Sequence, residues 1–202
     1  MKLTYFGHSC FVIEENGFRI CLDPYDANVP GYPPLAVAAN EVFCSHGHGD
    51  HAFTEAVTLE PPVVPNPFRI TEIPGFHDDQ GGALRGPNTI RIFEANGLRA
   101  AHFGDIGCEL TAAEKALLTG LDLALIPVGG TFTIDAAGAK ALIDVLSPKR
   151  VIPMHYRLGE KGYPVIAELS AFTALLPSFT ETGSREFELT ADTPEGIFVL
   201  SI

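Results

Sequence analysis

Two stretches of the chain share one pattern of apolar and polar positions. In Cys10–Arg19 and in Thr89–Arg99, a run rich in β-branched and aromatic residues meets an Asn-Gly pair, and a second apolar run follows. Asn-Gly tolerates positive φ at both central positions of a type I′ turn, so both stretches are predicted to be β-hairpins. Each second strand leads to an aspartate, Asp23 or Asp105, and another apolar strand comes later in each half. We interpret this as a weak internal duplication that builds two sheets alike.

Helical patterns lie between and after the hairpins. Thr111 and Glu114 have the spacing of a capping box, which predicts a short helix ending at about Thr119. Apolar residues at helical spacing predict a second helix, Asp135–Leu146, which Pro148 stops. The other predicted elements are a third helix over Tyr163–Leu175, at most a short helical piece over Thr54–Leu59, and strands over Glu41–Cys44, Asp122–Ile126, Arg150–Pro153 and Glu195–Ile202.

This order of elements favours an α+β fold. Strands that pair by hairpins, with helices between them, predict two packed, mostly antiparallel sheets covered by helices. The 202 residues are 46% hydrophobic, which is enough to bury a core, and the chain is too short for more than one ordinary domain. We therefore predict a single domain over residues 1–202.

Charge and hydropathy narrow the range of partners. Lys and Arg number 13 against 25 for Asp and Glu, and the net charge of −12 argues against a protein that binds phosphate backbones. No apolar run approaches the roughly 18 residues of a membrane helix, and the N-terminal segment lacks the pattern of a signal peptide. The four cysteines form no CxxC pair, which favours reduced, buried thiols. We expect a cytoplasmic protein with no nucleic-acid or membrane partner.

The segment that carries chemistry is Phe43–His51, where an apolar strand ends in a glycine-rich loop. In an extended stretch His46 and His48 point the same way, so both imidazoles can converge on one cation, and the intervening glycines leave room for a close approach. Asp50 and His51 then face a second position. The spacing therefore predicts a metal site.

The run from His46 to His51 matches the H-x-H-x-D-H signature and resembles the metallo-β-lactamase superfamily. Gly7-His8-Ser9-Cys10-Phe11, the Leu22-Asp23-Pro24 turn and Arg85-Gly86-Pro87-Asn88-Thr89 look like the branch that includes ascorbate-6-phosphate lactonase and related uncharacterised metal-dependent hydrolases. The resemblance covers most of the chain in order, and the ligand set is its most specific part. It implies a four-layer αββα sandwich of two mixed sheets covered by helices.

The resemblance also implies a binuclear metal site. By this likeness, one metal is held by His46, His48 and His77, the other by Asp50, His51 and His155, and Asp105 bridges the two. The residues expected to take part in catalysis are Asp50, Asp105 and His8. Imidazole and carboxylate ligands without thiolate suit Zn²⁺, with Mn²⁺ as the alternative.

Two close dications would lower the pKa of bound water enough to supply hydroxide at neutral pH, so no serine or cysteine nucleophile is required. Their positive charge can also receive an anionic substrate, despite the acidic chain. The leading hypothesis is therefore a metal-dependent hydrolase that cleaves a small ester, lactone or phosphoester metabolite.

Four further polar residues have two interpretations each. His8 could orient or protonate a leaving group, or it could support a ligand by a hydrogen bond. Similarly, His102 is expected to be a hydrogen-bonded histidine of the core or one that supports a ligand. We expect Asp23 to orient a ligand histidine or to cap a turn. Arg85 is a candidate clamp for an anionic substrate, because its planar fork suits phosphate or carboxylate, or it is an ordinary exposed arginine.

Other functions remain open from the sequence. A nuclease or phosphodiesterase of the same fold would usually add a basic exosite or a further domain, and the acidic chain has neither. A non-catalytic metal-binding or metabolite-binding protein would not need seven ligands, because a structural zinc site is closed with four. Redox chemistry with iron is a further alternative. The proline-rich stretch between His51 and His77 leaves the pocket open or covered by a partner chain, so a homo-oligomer is a further expectation.

Overall fold

The computed structural model describes residues 1–202. It contains fourteen strands, three α-helices and one short 3₁₀ turn, Thr54–Ala56. The strands are β1 (Lys2–Gly7), β2 (Cys10–Glu15), β3 (Phe18–Leu22), β4 (Val37–Ala39), β5 (Glu41–Phe43), β6 (Val57–Leu59), β7 (Arg69–Phe76), β8 (Pro87–Ala95), β9 (Leu98–His102), β10 (Leu123–Pro127), β11 (Arg150–Met154), β12 (Thr180–Glu181), β13 (Glu186–Glu188) and β14 (Gly196–Val199). The helices are α1 (Ala112–Leu118), α2 (Ala136–Leu146) and α3 (Leu169–Thr173).

The strands form two large mixed sheets. The first has the order β13-β1-β2-β3-β5 and is antiparallel except for the β3–β5 pair. The second has the order β12-β14-β11-β10-β9-β8-β7, with parallel pairs from β12 to β9 and antiparallel pairs from β9 to β7. Thus the predicted α+β fold with two mixed sheets is confirmed, although the second sheet has more parallel pairs than expected.

Both predicted hairpins are present, one in each sheet. Asn16 and Gly17 join β2 to β3 with φ values of 52° and 84°, and Asn96 and Gly97 join β8 to β9 with 52° and 77°. Positive φ at both central positions is the signature of a type I′ turn. After each hairpin the chain returns to add a parallel strand, β5 beside β3 and β10 beside β9. The two halves therefore share one local topology.

The main hydrophobic core lies between the two sheets and includes Leu3, Phe11 and Ile20 from the first sheet and Phe93 and Leu125 from the second. A second core packs the outer face of the second sheet against the helices. The outer face of the first sheet is covered by the loop after β3 and by the small parallel sheet of β4 and β6. This outer layer contains no α-helix, so all three helices pack on the second sheet, where the four-layer prediction expected helices on both sheets.

Two predicted helical segments differ from the structure. Val57, Thr58 and Leu59 form a strand, because these residues, two of them β-branched, pair with β4 instead of extending the 3₁₀ turn. The third helix begins only at Leu169, since the N–H of Ala167 donates to the carbonyl of Gly129. No helix has the length and apolarity that crossing a bilayer would require.

The sheet topology brings six chain segments to one edge of the molecule. Strands β1, β3 and β5 run in the same direction, as do β7, β9, β10 and β11, so within each sheet their carboxyl ends meet. The segments that follow these strands carry His8, Asp23, the His46–His51 loop, His77, Asp105 and His155.

Candidate metal centre

Six of the seven histidines lie at this edge, and they form two groups with the nearby carboxylates. The ligand atoms of the first group, His46, His48 and His77, all lie within 4.8 Å of one another. The rings of His46 and His48 are nearly perpendicular, with centroids 4.7 Å apart, and the His77 ring lies 4.6 Å from His46. His48 is exposed, so this group is open to solvent on one side.

The second group is buried deeper and includes four side chains. The ligand atoms of His8, Asp50, His51 and His155 also lie within 4.8 Å of one another, and all three histidines are inaccessible to solvent. Nε2 of His8 lies 3.2 Å from Oδ2 of Asp50. The structure thus places His8 beside three of the residues that the resemblance assigns to the second metal.

Asp105 lies between the two groups. Its Oδ2 is 3.2 Å from Nε2 of His77 in the first group, and 3.3 and 3.2 Å from Nε2 of His51 and His155 in the second. All seven residues that the sequence suggests as ligands are therefore brought together, in the same two sets. Their role as ligands stays a prediction.

The backbone around Asp105 is held in place by close packing. Asn88 is buried, its Oδ1 accepts a hydrogen bond from the Asp105 N–H at 2.9 Å, and its Nδ2 donates to the carbonyl of Phe103. Gly104 has a φ of 54°, and a Cβ there would lie 2.3 Å from Oδ1 of Asn88 and 2.4 Å from Cβ of Ser45. Only glycine permits this approach. The Gly-Asp pair therefore fixes the position of the Asp105 carboxylate.

Asp23 forms a third, overlapping group with His46 and His51, and its hydrogen bonds orient both histidines. One of its oxygens lies 2.8 Å from Nδ1 of His51, and the same carboxylate accepts hydrogen bonds from the backbone N–H and the hydroxyl of Ser45, each at 2.6 Å. The Ser45 hydroxyl in turn lies 2.9 Å from Nδ1 of His46. A buried carboxylate that holds a histidine in this way fixes the tautomer that leaves the other ring nitrogen free for a metal.

Backbone strain also concentrates at this edge. His8, Asp23 and His155 have positive φ values of 54°, 46° and 53°, which residues other than glycine rarely adopt. The carbonyl of His8 accepts hydrogen bonds from the Tyr5 hydroxyl at 2.9 Å and from the His155 N–H at 2.8 Å, so the strained turn is anchored. Such strain is found mostly at functional sites.

The donor atoms themselves fit a divalent cation. Nε2 of His46, His51 and His155 and Oδ1 of Asp105 are buried without a hydrogen-bond partner. Buried polar atoms are almost always satisfied, so several unpartnered nitrogen and oxygen atoms that face one space fit a bound cation. No cysteine belongs to either group. Nitrogen and carboxylate donors without thiolate suit Zn²⁺ or a harder ion such as Mn²⁺.

Burial and neighbouring charges set the protonation of the site. Burial and His51 lower the pKa of His46 to about 3, and burial and His155 lower the pKa of His8 to about 4, so both imidazoles are neutral. Burial would also lower the pKa of His51, but Asp105 and Asp23 outweigh it and raise the pKa above its usual range. A cation that binds His51 must therefore displace a proton.

The seventh histidine, His102, is a satisfied core residue. Its Nε2 lies 2.9 Å from the carbonyl of Ser9, and its Nδ1 accepts a hydrogen bond from the Gly104 N–H at 3.1 Å. Both ring nitrogens are used by the backbone, and burial lowers the pKa. Of the two interpretations from sequence, the structure supports the core histidine.

Arg85 lies in the loop between β7 and β8, with its guanidinium carbon 5.7 Å from the centroid of the Phe132 ring. Whether it binds substrate stays a prediction. Ser45 and Asn88 were not predicted as site residues, because an isolated serine or asparagine carries no ligand signal. The available clues were that Ser45 precedes a predicted ligand histidine and that Asn88 lies in the Arg85–Thr89 motif.

Comparisons with known proteins agree with this fold. A family model described as "Beta-lactamase superfamily domain" matches residues 2–155. A UPF0173 metal-dependent hydrolase of Carboxydothermus hydrogenoformans is 28% identical over 203 residues, covering 83% of this chain and 88% of its own. The crystal structure of a candidate Zn-dependent hydrolase of the metallo-β-lactamase superfamily from Thermotoga maritima is 31% identical, has a TM-score of 0.78, and is matched over 98% of this chain and 97% of its own.

The two mixed sheets and the paired histidine groups at their shared edge define a metal-binding protein of the α+β class. The family match and the Thermotoga structure show that the chain belongs to the metallo-β-lactamase superfamily. A further relative, from Archaeoglobus fulgidus, is 28% identical over 193 residues, covers 77% of this chain and 83% of its own, and is also named a UPF0173 metal-dependent hydrolase. The names of these relatives support a metal-dependent hydrolase.

Proposed function

We propose that this protein is a binuclear metal-dependent hydrolase that cleaves a small ester, lactone or phosphoester. The observation that carries this proposal is the position of Asp105, whose Oδ2 faces histidines of both groups at 3.2 to 3.3 Å while its Oδ1 has no partner. A carboxylate with free oxygens between two sets of imidazoles is suited to bridge two cations. A closed structural site would need only four ligands.

The first ion would be held by His46, His48 and His77, and the second by Asp50, His51 and His155, with Asp105 shared. Zn²⁺ fits the donor set, with Mn²⁺ as the alternative. When bound, such ions lower the pKa of a coordinated water and polarise the bond under attack. This chemistry requires no serine or cysteine nucleophile.

The protein's own residues prepare the site for this chemistry. Asp23 keeps His51 in the tautomer with a free Nε2, and Ser45 extends the same network to His46. His8 is neutral and lies 3.2 Å from Asp50, so we assign it to positioning: its Nε2–H donates to the carboxylate and fixes the free oxygen. Substrate would enter beside His48, where Gly47 and Gly49 are also exposed.

The test is hydrolysis by protein that has been reconstituted with Zn²⁺ or Mn²⁺. A panel of one lactone, one aryl ester and one aryl phosphodiester would be assayed with wild type, Asp105→Asn and the control Asp122→Asn. Asp122 is also buried, but it bonds to Arg99 and Lys149 away from the site. We expect turnover by wild type and the control, and its loss in Asp105→Asn. Equal turnover in Asp105→Asn, or none by metal-loaded wild type, would overturn the proposal.

A further inference from the structure

The side chains of two arginines donate to neither a carboxylate nor a backbone carbonyl, although the chain carries a net charge of −12. Of the eight arginines, six donate to carboxylates or backbone carbonyls: Arg19, Arg69, Arg91, Arg99, Arg150 and Arg157. The guanidinium groups of Arg85 and Arg185 instead lie over the rings of Phe132 and Phe6. An unpaired, half-buried arginine in an acidic protein is free to bind an anion.

Arg85 is tied closely to the first histidine group. The carboxylate of Asp78, which directly follows His77, accepts hydrogen bonds from four backbone N–H groups, those of Gln80, Gly82, Leu84 and Arg85, at 2.7 to 3.0 Å. The His77 N–H also donates to the carbonyl of Gly86 at 3.1 Å. These hydrogen bonds hold the loop that carries Arg85 against His77 and Asp78. A group bound by Arg85 would lie at a fixed distance from the metal centre.

A row of aromatic rings continues from Arg85 to the second group. The Phe132 ring packs edge-on against Tyr163 with centroids 6.1 Å apart, and Tyr163 packs edge-on against His8 at 5.8 Å. Arg85, Phe132 and Tyr163, which we call the recognition wall, therefore border the site from the first histidine group to the second. All three side chains are half-buried and so reach solvent.

The loop that carries Phe132 is held in a costly conformation. Thr131 adopts a φ of 62°, which a β-branched residue rarely does, and its hydroxyl donates to the carbonyl of Val165 at 2.7 Å. This bond joins the loop after β10 to the segment after Tyr163. Strain that the surroundings maintain in this way is typical of functional loops.

We propose that the recognition wall selects the substrate, which would carry an oxyanion, a carboxylate or a phosphate, beside a planar apolar portion. The guanidinium of Arg85 would bind the oxyanion through its planar fork, and the planar portion would lie against Phe132 and Tyr163. This inference rests on the proposed hydrolase function, because it places the scissile bond beside the two histidine groups and Asp105. It predicts preference for an anionic aromatic compound over its neutral isostere.

Binding by the zinc-loaded protein, measured by isothermal titration calorimetry, tests the wall without requiring turnover. The probes are benzoate, phenylphosphonate, neutral benzamide and inorganic phosphate, and the variants are Arg85→Met, Arg85→Lys, Phe132→Leu and the control Arg185→Met. Arg185 stacks on Phe6 and lines a separate groove that contains none of the metal-centre residues. Benzoate and phenylphosphonate separate the carboxylate from the phosphate form of the proposal.

We expect Arg85→Met to weaken the better-bound aromatic anion at least about tenfold, as expected for loss of a charged hydrogen bond. Arg85→Lys should recover only part of this, Arg185→Met should match wild type, and Phe132→Leu should weaken the aromatic anion more than inorganic phosphate. Equal binding by wild type and Arg85→Met, or an equal loss in Arg185→Met, would overturn the inference. The hydrolase proposal would fail in a different way: the metal-loaded protein would show no turnover, although these differences in binding between the variants would still be measured.

Discussion

Asp23 and Asp105 occupy corresponding places in the two halves of the molecule. Each follows the second strand of an Asn-Gly hairpin, and in each half the next strand to join lies parallel to that second strand. Both carboxylates are almost fully buried. Their partners differ: the oxygens of Asp23 are bound by Ser45 and His51, whereas Oδ1 of Asp105 has no partner and Oδ2 faces three imidazoles.

The shared topology therefore places a carboxylate at the same position in each half, and the residues around that carboxylate determine its role. Burial would raise the pKa of Asp23, but His102, His51 and Ser45 outweigh it and lower the pKa to about 2. Asp105 is held ionised in the same way by His155 and His51. The carboxylate of Asp23 is fully hydrogen-bonded within the protein and orients histidines, while Oδ1 of Asp105 has no partner. We therefore assign orientation to Asp23 and cation binding to Asp105.

The largest expected effect comes from removing the free carboxylate. Asp105→Asn keeps the shape of the side chain but removes the charge that both histidine groups share, so we expect hydrolysis to fall by about a thousandfold or more, as is usual when a central catalytic group is lost. Steady-state rates on whichever substrate wild type cleaves are the measurement. A loss no greater than that of Asp23→Asn would remove the distinction between the two aspartates.

A smaller effect is expected when the orienting carboxylate is changed. Asp23→Asn leaves every proposed ligand in place but weakens the hold on His51, so affinity for zinc should fall by about 10- to 100-fold. Competition against a chromophoric chelator measures this, and the conservative change Ser45→Thr, which keeps the hydroxyl, is the control. Unchanged affinity would mean that Asp23 serves only the fold.

The contribution of the Asp23 carboxylate to the free energy of unfolding of the metal-free protein should depend on pH. The pKa of Asp23 is about 2 in the folded state, below its ordinary value, so its ionised form stabilises the fold above about pH 4. That contribution is lost as the pH falls through 2, and it amounts to roughly 2 kcal/mol. Urea unfolding of wild type and Asp23→Asn from pH 6 to pH 2 should show a difference that shrinks with acid. A constant difference would contradict the assignment.

The smallest effect on metal binding is expected at His102. Both of its nitrogens bond to the backbone, at Ser9 and Gly104, so His102→Gln should leave the metal content unchanged. It should lower the free energy of unfolding by about 1 to 3 kcal/mol, because a buried polar group loses a partner. Elemental analysis and thermal unfolding check the two parts. Loss of metal would place His102 with the five histidines that are proposed as ligands.

Local signals in the sequence predicted the features that short segments determine. Asn-Gly predicted both hairpin turns, and the His46–His51 run predicted where the candidate metal centre lies. The run converges through a bend after β5, and the extended stretch assumed from the sequence was wrong. The strand Arg69–Phe76 was not predicted, since it contains Pro74. The structure explains that residue: β7 is the last strand of its sheet, where a proline removes no ladder hydrogen bond.

Features that depend on distant contacts could not be predicted. Nothing in the sequence near Asn88 shows that its amide supports the backbone of Asp105, and nothing near Phe132 shows that its ring meets Arg85. The delayed start of the third helix likewise depends on a bond from Ala167 to Gly129, 38 positions apart in the numbering. Long-range bonds of this kind appear only when the sheets assemble.

Metal content per chain tests the difference between the two aspartates most directly. Wild type, Asp105→Ala and Asp23→Asn would be loaded with excess Zn²⁺, passed over a desalting column and analysed for zinc. The account predicts two ions in wild type, one or none in Asp105→Ala, and an intermediate loss in Asp23→Asn that higher zinc restores. One ion or none in wild type, unchanged by Asp105→Ala, would contradict the shared carboxylate and the binuclear hydrolase built on it.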